Sequence, residues 1–317
     1  MTAISPSQLA TRCSLQLRYH RMRLAHEHGE HEGGGPVDCP LCCDWMPPPP
    51  KIATEFGHAI HKGIEEYLRL HFFSDFVVDS TAEAIETAYG VLEETDDRGV
   101  TWDEPPRVRR DGLLYRGDEA RMPTLDRAQQ VAAEMVKSWV WRFGELPVQD
   151  IEVEIDLPLG EYGVRDGLLR CRLDITTLDQ GLVDLKTSRD DWERERWDDK
   201  LDQMILYAMA YRHHYGQLPE YAVFHVAPKS GLGGRWQVIE VEVDENRIEP
   251  VVERVLRPAI RMVEADAFLP NRAQPFPHSE KYCDYWAHCP FGAKAGEAAH
   301  EVALPMLPIL GQEAFLQ

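Results

Sequence analysis

Two short stretches of alternating apolar and polar residues, 167–176 and 181–187, constrain the fold of this chain more than any other feature. Alternation with a period of two is typical of β-strands that bury one face. The residues Leu178-Asp179-Gln180-Gly181 separate the stretches, and a Gly-containing connection of this length is typical of a turn between neighbouring antiparallel strands. The sequence therefore predicts a β-hairpin at this point.

The predicted hairpin brings two acidic residues and a lysine together. Because side chains alternate between the two faces of a strand, Asp184 and Lys186 point the same way. Val183 and Leu185 point to the other side and bury. Asp174 lies near the end of the partner strand. We therefore expect the three charged side chains to converge.

Two carboxylates with an adjacent lysine can form a site for a hard divalent cation. Mg²⁺ and Mn²⁺ prefer oxygen ligands, and two carboxylates with a backbone carbonyl, here that of Leu185, can hold one and leave room for water and phosphate. A lysine beside the cation can orient or deprotonate that water and offset charge on phosphorus. The arrangement indicates phosphodiester hydrolysis. The alternative is a solvated hairpin that carries Asp-x-Lys by chance.

A wider pattern around the hairpin resembles a known family. An aspartate before Asp-Leu-Lys-Thr-Ser, followed by Gln-x-x-x-Tyr on a predicted helix, is similar to the PD-(D/E)XK nucleases. Within them the chain most resembles the RecB-like exonucleases and their CRISPR-associated and phage relatives. Further parts of the pattern follow in the family's order: Ile4-Ser5-Pro6-Ser7-Gln8-Leu9 with Cys13, Gly57-His58-Ala59-Ile60-His61, and Cys283 with Cys289.

The resemblance implies roles for four residues in metal binding and catalysis. His61 and Asp174 would be metal ligands, Asp184 the second acidic ligand, and Lys186 the catalytic lysine. For His61 the residues themselves leave an alternative open. It lies with His58 at the start of an amphipathic helical run, where both histidines could be partly buried structural residues.

The resemblance also implies that Gln203 and Tyr207 lie close to the substrate. Positions four apart share one face of a helix, which independently supports this pair. Glu154, on the strand predicted before the hairpin, is a candidate for an additional acidic group. The predicted site therefore draws on a helix as well as on the sheet.

The cysteines favour metal or core roles over disulfides, because the sequence has seven of them and no secretory signal. Relatives with an iron–sulfur cluster carry one early cysteine and three late ones, whereas Glu280 occupies the position of the first late cysteine here. A cysteine from the loop near residue 40 could complete a 4Fe-4S cluster. The other ligands of that cluster would be Cys13, Cys283 and Cys289.

The same loop offers a second way to bind a metal. Cys39 and Cys42 form a C-x2-C pair, and thiolate and imidazole are the usual ligands of zinc. Three histidines lie in this loop: His26, His28 and His31. The choice between zinc and iron–sulfur stays open, as does the plainer alternative that Cys13 and Cys289 are buried core thiols.

Composition favours a globular protein of the cytoplasm. The chain has 317 residues and 44% apolar content, enough for one large core or two modest ones. It has no apolar run of the roughly 18 residues needed to cross a bilayer, so we expect a soluble protein without a membrane partner. The formal charge of −20 repels nucleic acid, so binding would depend on metal ions and local basic clusters. Candidate clusters, which could equally be ion-paired surface, are Arg12, Arg18, Arg21 and Arg23, and Arg107, Arg109 and Arg110.

The periodicity along the chain predicts an α/β protein. Helices are expected over 6–25, 54–72, 80–92, 125–143 and 246–267, with another around Gln203 and Tyr207. Strands are expected over 151–158, 167–176, 181–187, 221–227 and 236–243, and 95–121 is expected to be irregular. Together with the resemblance, this predicts a restriction-endonuclease-like mixed central sheet flanked by helices, with a helical N-terminal part and cysteine-bearing terminal segments.

The expected organisation is one integrated nuclease domain. Its parts are a first helix and Cys/His loop over 1–50, a helical part with the histidine motif over 51–150, the nuclease core over 151–270, and a cysteine segment and tail over 271–317.

The resemblance implies a metal-dependent DNA exonuclease that uses Mg²⁺ or Mn²⁺ and acts on single strands or duplex ends in DNA processing or recombination. Two alternatives stay open. One is an enzyme of the same fold that cuts particular structures internally or trims ends, within a recombination, CRISPR or phage DNA-processing complex. The other is a non-catalytic DNA-binding or assembly subunit, because a fold does not determine a function.

Overall fold

The strands of the predicted hairpin lie side by side within one mixed sheet. The computed structural model describes residues 2–9, 51–76, 78–114, 118, 121–165, 167–189, 191–192, 198–229 and 235–265. All of these belong to one unit of the chain, Met1–Ala10 with Pro49–Ala267. The strands are β1 (Thr2–Ile4), β2 (Val148–Pro158), β3 (Gly167–Thr177), β4 (Gly181–Ser188), β5 (Tyr221–Pro228) and β6 (Gln237–Val241).

The helices of the described residues follow the predicted order. They are α1 (Pro6–Leu9), α2 (Ile52–Phe73), α3 (Ser80–Asp97), α4 (Leu125–Phe143), α5 (Asp198–Tyr215), α6 (Glu245–Val251) and α7 (Arg257–Glu264). Within the part of the chain that the structure describes, no helix is long and apolar enough to cross a membrane. Of the first helix predicted over 6–25, only the α1 residues can be compared.

The last predicted helix is not one regular helix. A π-helical segment, Val252–Leu256, joins α6 to α7, and Pro250 lies inside α6. Proline has no backbone N–H and its ring crowds the carbonyl one turn earlier, so it disturbs the regular hydrogen-bond ladder. The prediction of a single helix over 246–267 is therefore wrong in this respect, since periodicity alone does not register the break.

The sheet combines parallel and antiparallel neighbours. One edge of β3 pairs antiparallel with β2, and its other edge pairs parallel with β1 and antiparallel with β4. β4 and β5 are parallel, β6 is antiparallel to β5, and α5 makes the crossover between β4 and β5. The five predicted strands are confirmed to within a few residues at their ends. β1 was not predicted, because three residues are too few for a visible alternation.

One layer of helices packs against the face of the sheet to which the odd-numbered side chains of β4 point. Val183 and Leu185 bury there, as predicted, in a core with residues of α2, α3 and α4. The largest side chains of this core include Phe56, Ile60, Ile64, Leu92 and Trp139. Gly63 allows α2 and α3 to approach closely, because a Cβ atom there would lie 2.8 Å from the Ala84 carbonyl oxygen.

The alternation of faces is interrupted within β3. Ile175 packs in the core beneath α2 and α4, and its neighbour Thr176 hydrogen-bonds Tyr215 of α5, so the two helical layers lie on opposite faces. Cys171 also contacts α5, through the Leu206 carbonyl. A regular strand would place residues 171 and 176 on opposite faces. The interruption therefore lies between them, in the segment that contains Asp174.

The hairpin turn uses its glycine in an unexpected way. The residue with positive φ is Gln180, at φ 65°, so the left-handed position does not fall on Gly181. A Cβ atom at Gly181 would lie 2.1 Å from the Tyr221 ring. The predicted hairpin is present, and Gly181 is required there by the close approach of β5.

The segment after α3 is irregular, as predicted, and is held by a buried carboxylate. Asp118 accepts hydrogen bonds from the backbone N–H and the guanidinium of Arg107, and pairs with Arg121. These contacts lower the pKa of Asp118 well below its usual range. Arg109 pairs with Asp111 at 3.1 Å. Arg107 and Arg109 belong to the candidate basic cluster of Arg107, Arg109 and Arg110. Both are ion-paired with nearby aspartates, which favours the interpretation of these two as ion-paired surface residues.

A buried lysine links β5 to the start of α2. The Lys229 ammonium donates a hydrogen bond of 3.0 Å to the Ala53 carbonyl and lies 4.9 Å from the centre of the Phe56 ring. Burial lowers the pKa of Lys229 to about 8, although the charge of Asp103 opposes this shift. The charged form of this side chain is therefore less favourable in the folded protein than in the unfolded chain.

We expect Lys229→Met to remove a specific pH dependence of stability. The pKa of Lys229 is about 8 when folded and 10.5 ordinarily, so the unfolded chain binds more protons between these pH values. The free energy of unfolding of the wild type should therefore rise with pH in this window, by on the order of 3 kcal/mol from this group. Urea unfolding of both proteins between pH 7 and 10.5 measures the effect. A difference between them that does not change with pH would contradict it.

Candidate active site

The site lies where the hairpin strands separate. β3 and β4 pair only at Ile175 with Val183 and Thr176 with Leu182, the pairs next to the turn. Beyond these pairs the Asp174 carboxylate accepts a hydrogen bond of 2.8 Å from the Leu185 N–H. A side-chain oxygen thus takes the place of the next ladder partner, and the strands open around Asp174.

Helix α2 brings His61 to the same point. Its Nδ1 lies 3.6 Å from Asp174 Oδ2, and the ring lies beside the backbone of Leu185. Burial, reinforced by the positive charge of Lys186, lowers the pKa of His61 to about 4. The imidazole is therefore neutral at physiological pH, which is the form that binds metal ions.

Gly57 allows α2 to come this close. A Cβ atom at Gly57 would lie 2.8 Å from Thr187 Oγ1 at the end of β4. His58 is exposed, so the alternative in which both histidines are buried structural residues does not describe this helix. The glycine and His61 are one helical turn apart, and close contact at the first sets the position of the second.

Asp184 and Lys186 share one face of β4, as predicted. Asp184 is 1% exposed and its Oδ2 is ion-paired with the Lys186 ammonium, but its Oδ1 has no partner among the described residues. Burial raises the pKa of Asp184, and the neighbouring Asp174 adds to this effect. Burial likewise raises the pKa of Asp174. Two buried carboxylates with so few donors suit a bound cation.

Glu152 is a third acidic residue of the site and was not predicted. One ligand atom each from His61, Glu152 and Asp174 lie within 4.8 Å of one another. Burial, with a further contribution from Asp174, raises the pKa of Glu152 to about 7. Glu154, the candidate from the sequence, is exposed and its side chain is not part of this group. Glu152, and not the predicted Glu154, is therefore the additional acidic residue of this group.

The backbone at Glu152 explains its position. The residue has φ 51°, in the left-handed region that non-glycine residues rarely adopt. The pairs Ile151 with Ile175 and Val153 with Leu173 place Glu152 opposite Asp174. The alternation of β2 thus breaks directly beside the break in β3. Such strained positions occur preferentially at functional sites.

Gln203 and Tyr207 share one face of α5, as predicted. Gln203 Nε2 donates a hydrogen bond of 2.9 Å to the Tyr207 hydroxyl, and both side chains are buried. Burial and the charges of Asp184 and Asp174 raise the pKa of Tyr207 well above its ordinary value. The amide oxygen of Gln203 has no hydrogen-bond partner in the described part of the chain. The pair therefore lies beside the carboxylates with one polar group unsatisfied.

The donor set fits a hard divalent cation. It offers carboxylate oxygens and a neutral imidazole nitrogen, which suit Mg²⁺ or Mn²⁺, and Asp184 Oδ1, which has no partner among the described residues, lies in a buried position that a cation would stabilise. The backbone of Leu185 lies beside both His61 and Asp174, next to these side-chain ligand atoms. The chemistry of the residues therefore agrees with metal binding.

The cysteine predictions cannot be compared with the structure. Five of the residues concerned lie outside the described residues: Cys13, Cys39, Cys42, Cys283 and Cys289. Cys171 is described, is buried, and has its thiol pKa raised by burial. It is therefore a core thiol.

Comparison with known proteins identifies the family. A model described as "PD-(D/E)XK nuclease superfamily" matches residues 3–290. The chain belongs to the PD-(D/E)XK nuclease superfamily. The predicted restriction-endonuclease-like α/β fold is thereby confirmed. Members of this superfamily use divalent metal ions, and the group around Asp174 is a candidate site for one.

Two solved structures are similar to this PD-(D/E)XK protein. One, described as "Putative exonuclease" from Eubacterium rectale, is 13% identical, with 73% of this chain and 90% of that chain covered and a TM-score of 0.39. The other, SSO0001, is 17% identical, with 66% of this chain and 95% of that chain covered and a TM-score of 0.32. A comparison with curated proteins found no match.

We expect Glu152→Gln to weaken Mn²⁺ binding by at least about tenfold, because affinity for a hard cation depends on the number of charged ligands. Glu154→Gln is the matched control, since it removes the same charge two residues along β2 from an exposed side chain. Isothermal titration calorimetry with Mn²⁺ measures both affinities. Equal affinities of the two variants would show that Glu152 is not a ligand.

Proposed function

We propose that this protein is a metal-dependent DNA exonuclease that hydrolyses phosphodiester bonds with Mg²⁺ or Mn²⁺. The observation that carries the proposal is the group of His61, Glu152 and Asp174 around one point, with Asp184 and Lys186 on the adjoining strand. Membership of the nuclease superfamily supports phosphodiester chemistry. The action on DNA ends rests on the resemblance to RecB-like exonucleases.

Different residues of the site have different roles in the proposed reaction. His61, Asp174 and Asp184 would hold the cation, with Glu152 as a further ligand and the Leu185 carbonyl as an additional donor. A divalent cation, when bound, supplies positive charge next to the scissile phosphate and lowers the pKa of nearby water. Asp184 fixes the ammonium of Lys186, which contacts its carboxylate.

Lys186 is the residue that acts on the attacking water and the phosphate. Its Nζ lies 5.9 Å from the centre of the Phe224 ring, and this ring with Asp184 restricts the side chain to one region. An ammonium held in this way can orient the water and stabilise negative charge on the phosphate oxygens. Its contribution is electrostatic and depends on a fixed position.

Gln203 and Tyr207 position the substrate in this proposal. The Gln203 amide oxygen is buried without a partner in the described residues, and the Tyr207 hydroxyl accepts the amide N–H. A polar group left unsatisfied in a buried site is stabilised when a ligand supplies the missing donor. The sugar or base next to the scissile phosphate has such donors.

We expect Lys186→Met to lower the rate of DNA cleavage by roughly 10²–10⁴-fold without unfolding the protein. The methionine keeps most of the side-chain volume and removes only the charged group. Release of nucleotides from end-labelled linear DNA in Mn²⁺ measures the rate, and thermal unfolding checks the fold. Lys137→Met, at an exposed position of α4, is the control. Wild-type cleavage by Lys186→Met would refute the assigned role.

Linear and covalently closed circular DNA of one sequence distinguish the two enzymatic alternatives. An exonuclease degrades the linear form and leaves the closed circle intact, because it has no end. Cleavage of both forms at similar rates would replace the exonuclease by an internally cutting enzyme of the same fold. Cleavage of neither, with Mn²⁺ bound, would favour the non-catalytic DNA-binding subunit.

A further inference from the structure

Two arginines of β3 form similar ion pairs in different surroundings. Arg170 Nε lies 2.9 Å from Asp156, and Arg172 Nε lies 2.8 Å from Glu152, in both cases across to β2. The two side chains are exposed to a similar extent, 64% for Arg170 and 57% for Arg172. The two arginines therefore differ mainly in the location of the carboxylate with which each is paired.

The partner of Arg172 belongs to the candidate metal site. Asp156 is a surface carboxylate, 49% exposed, whereas Glu152 is 17% exposed and lies within ligand distance of His61 and Asp174. Arg172 is also two residues from Asp174, and its charge lowers the pKa of that carboxylate. The guanidinium thus borders the site and remains accessible to solvent.

An arginine in this position opposes the binding of a cation. Its charge contacts one ligand directly and repels a divalent ion placed between Glu152 and Asp174. Ion pairs of exposed arginines contribute little to stability, so fold stability does not account for the arrangement. A guanidinium that is half-exposed beside a phosphate-cleaving site has the geometry to donate two hydrogen bonds to phosphate oxygens.

We propose that Arg172 binds a phosphate of the DNA substrate when the cation is bound by Glu152. The inference rests on the proposed function and deepens it by naming a substrate-binding residue. With the cation in place, the charge of Glu152 is shared between two positive groups, so its pair with Arg172 weakens. The exposed guanidinium then binds the phosphate backbone. It provides local positive charge for this contact, although the net charge of the whole chain is −20.

The test compares Arg172→Ala with Arg170→Ala, its matched control on the same strand. DNA binding is measured by fluorescence anisotropy of a labelled oligonucleotide in Ca²⁺, a cation chosen because it should support binding without cleavage. Mn²⁺ affinity is measured separately, by calorimetry without DNA. We expect Arg172→Ala to weaken DNA binding about tenfold and to reduce the slope of log affinity against log salt concentration by about one. Its Mn²⁺ affinity should be equal to that of the wild type or higher. Arg170→Ala should change neither, and Arg172→Lys should restore part of the DNA affinity.

The outcomes separate this inference from the proposed function. If Arg172→Ala weakens Mn²⁺ and DNA binding together, Arg172 only positions Glu152 and the inference is overturned. If both arginine variants lose DNA affinity equally, the effect is that of general surface charge, and the inference is also overturned. If the wild type binds DNA in Ca²⁺ and cleaves it in Mn²⁺ while Arg172→Ala binds equally well, this inference alone fails. A wild type that neither binds nor cleaves DNA overturns the proposed function and this inference with it.

Discussion

The hydrogen bond from the Leu185 N–H to the Asp174 carboxylate is the contact on which the site depends. The regular backbone pairing of β3 with β4 ends at Ile175 and Val183. Beyond that pair, this side-chain hydrogen bond connects the two strands. The same carboxylate is 3.6 Å from His61, so one aspartate connects β3, β4 and α2. Any ligand bound at this point therefore experiences a geometry fixed by backbone as well as by side chains.

The electrostatics of the site follow from burial. Burial raises the pKa of Glu152, Asp174 and Asp184 together, because each charged carboxylate is poorly solvated and close to another. A bound cation would reverse these shifts and displace protons, so metal binding and ionisation are coupled. Lys186 and Arg172 place positive charge at the edge of this group, where it offsets part of the negative charge of the carboxylates.

The sequence allowed the hairpin, the strand order along the chain and the position of Asp184 and Lys186 to be predicted, because these depend on local alternation. It did not identify Glu152, since β2 contains four acidic residues within a short alternating stretch. Only the pairing with β3 and the left-handed backbone at residue 152 distinguish Glu152 from Glu154. Contacts that depend on register between strands, such as Gly181 against Tyr221, escape sequence patterns for the same reason.

Helix α2 joins the stability of the fold to the geometry of the site. Its apolar face, with Phe56, Ile60 and Ile64, is buried in the core, while His61 on the adjoining face reaches Asp174. Both contacts belong to one rigid element, so a shift that improved or disturbed the packing would also move the imidazole. Gly57 fixes this relation most directly, because its contact with Thr187 sets the distance between α2 and the strand that carries Asp184 and Lys186. The position of the candidate metal ligands is thus determined by core packing as much as by the residues of the site itself.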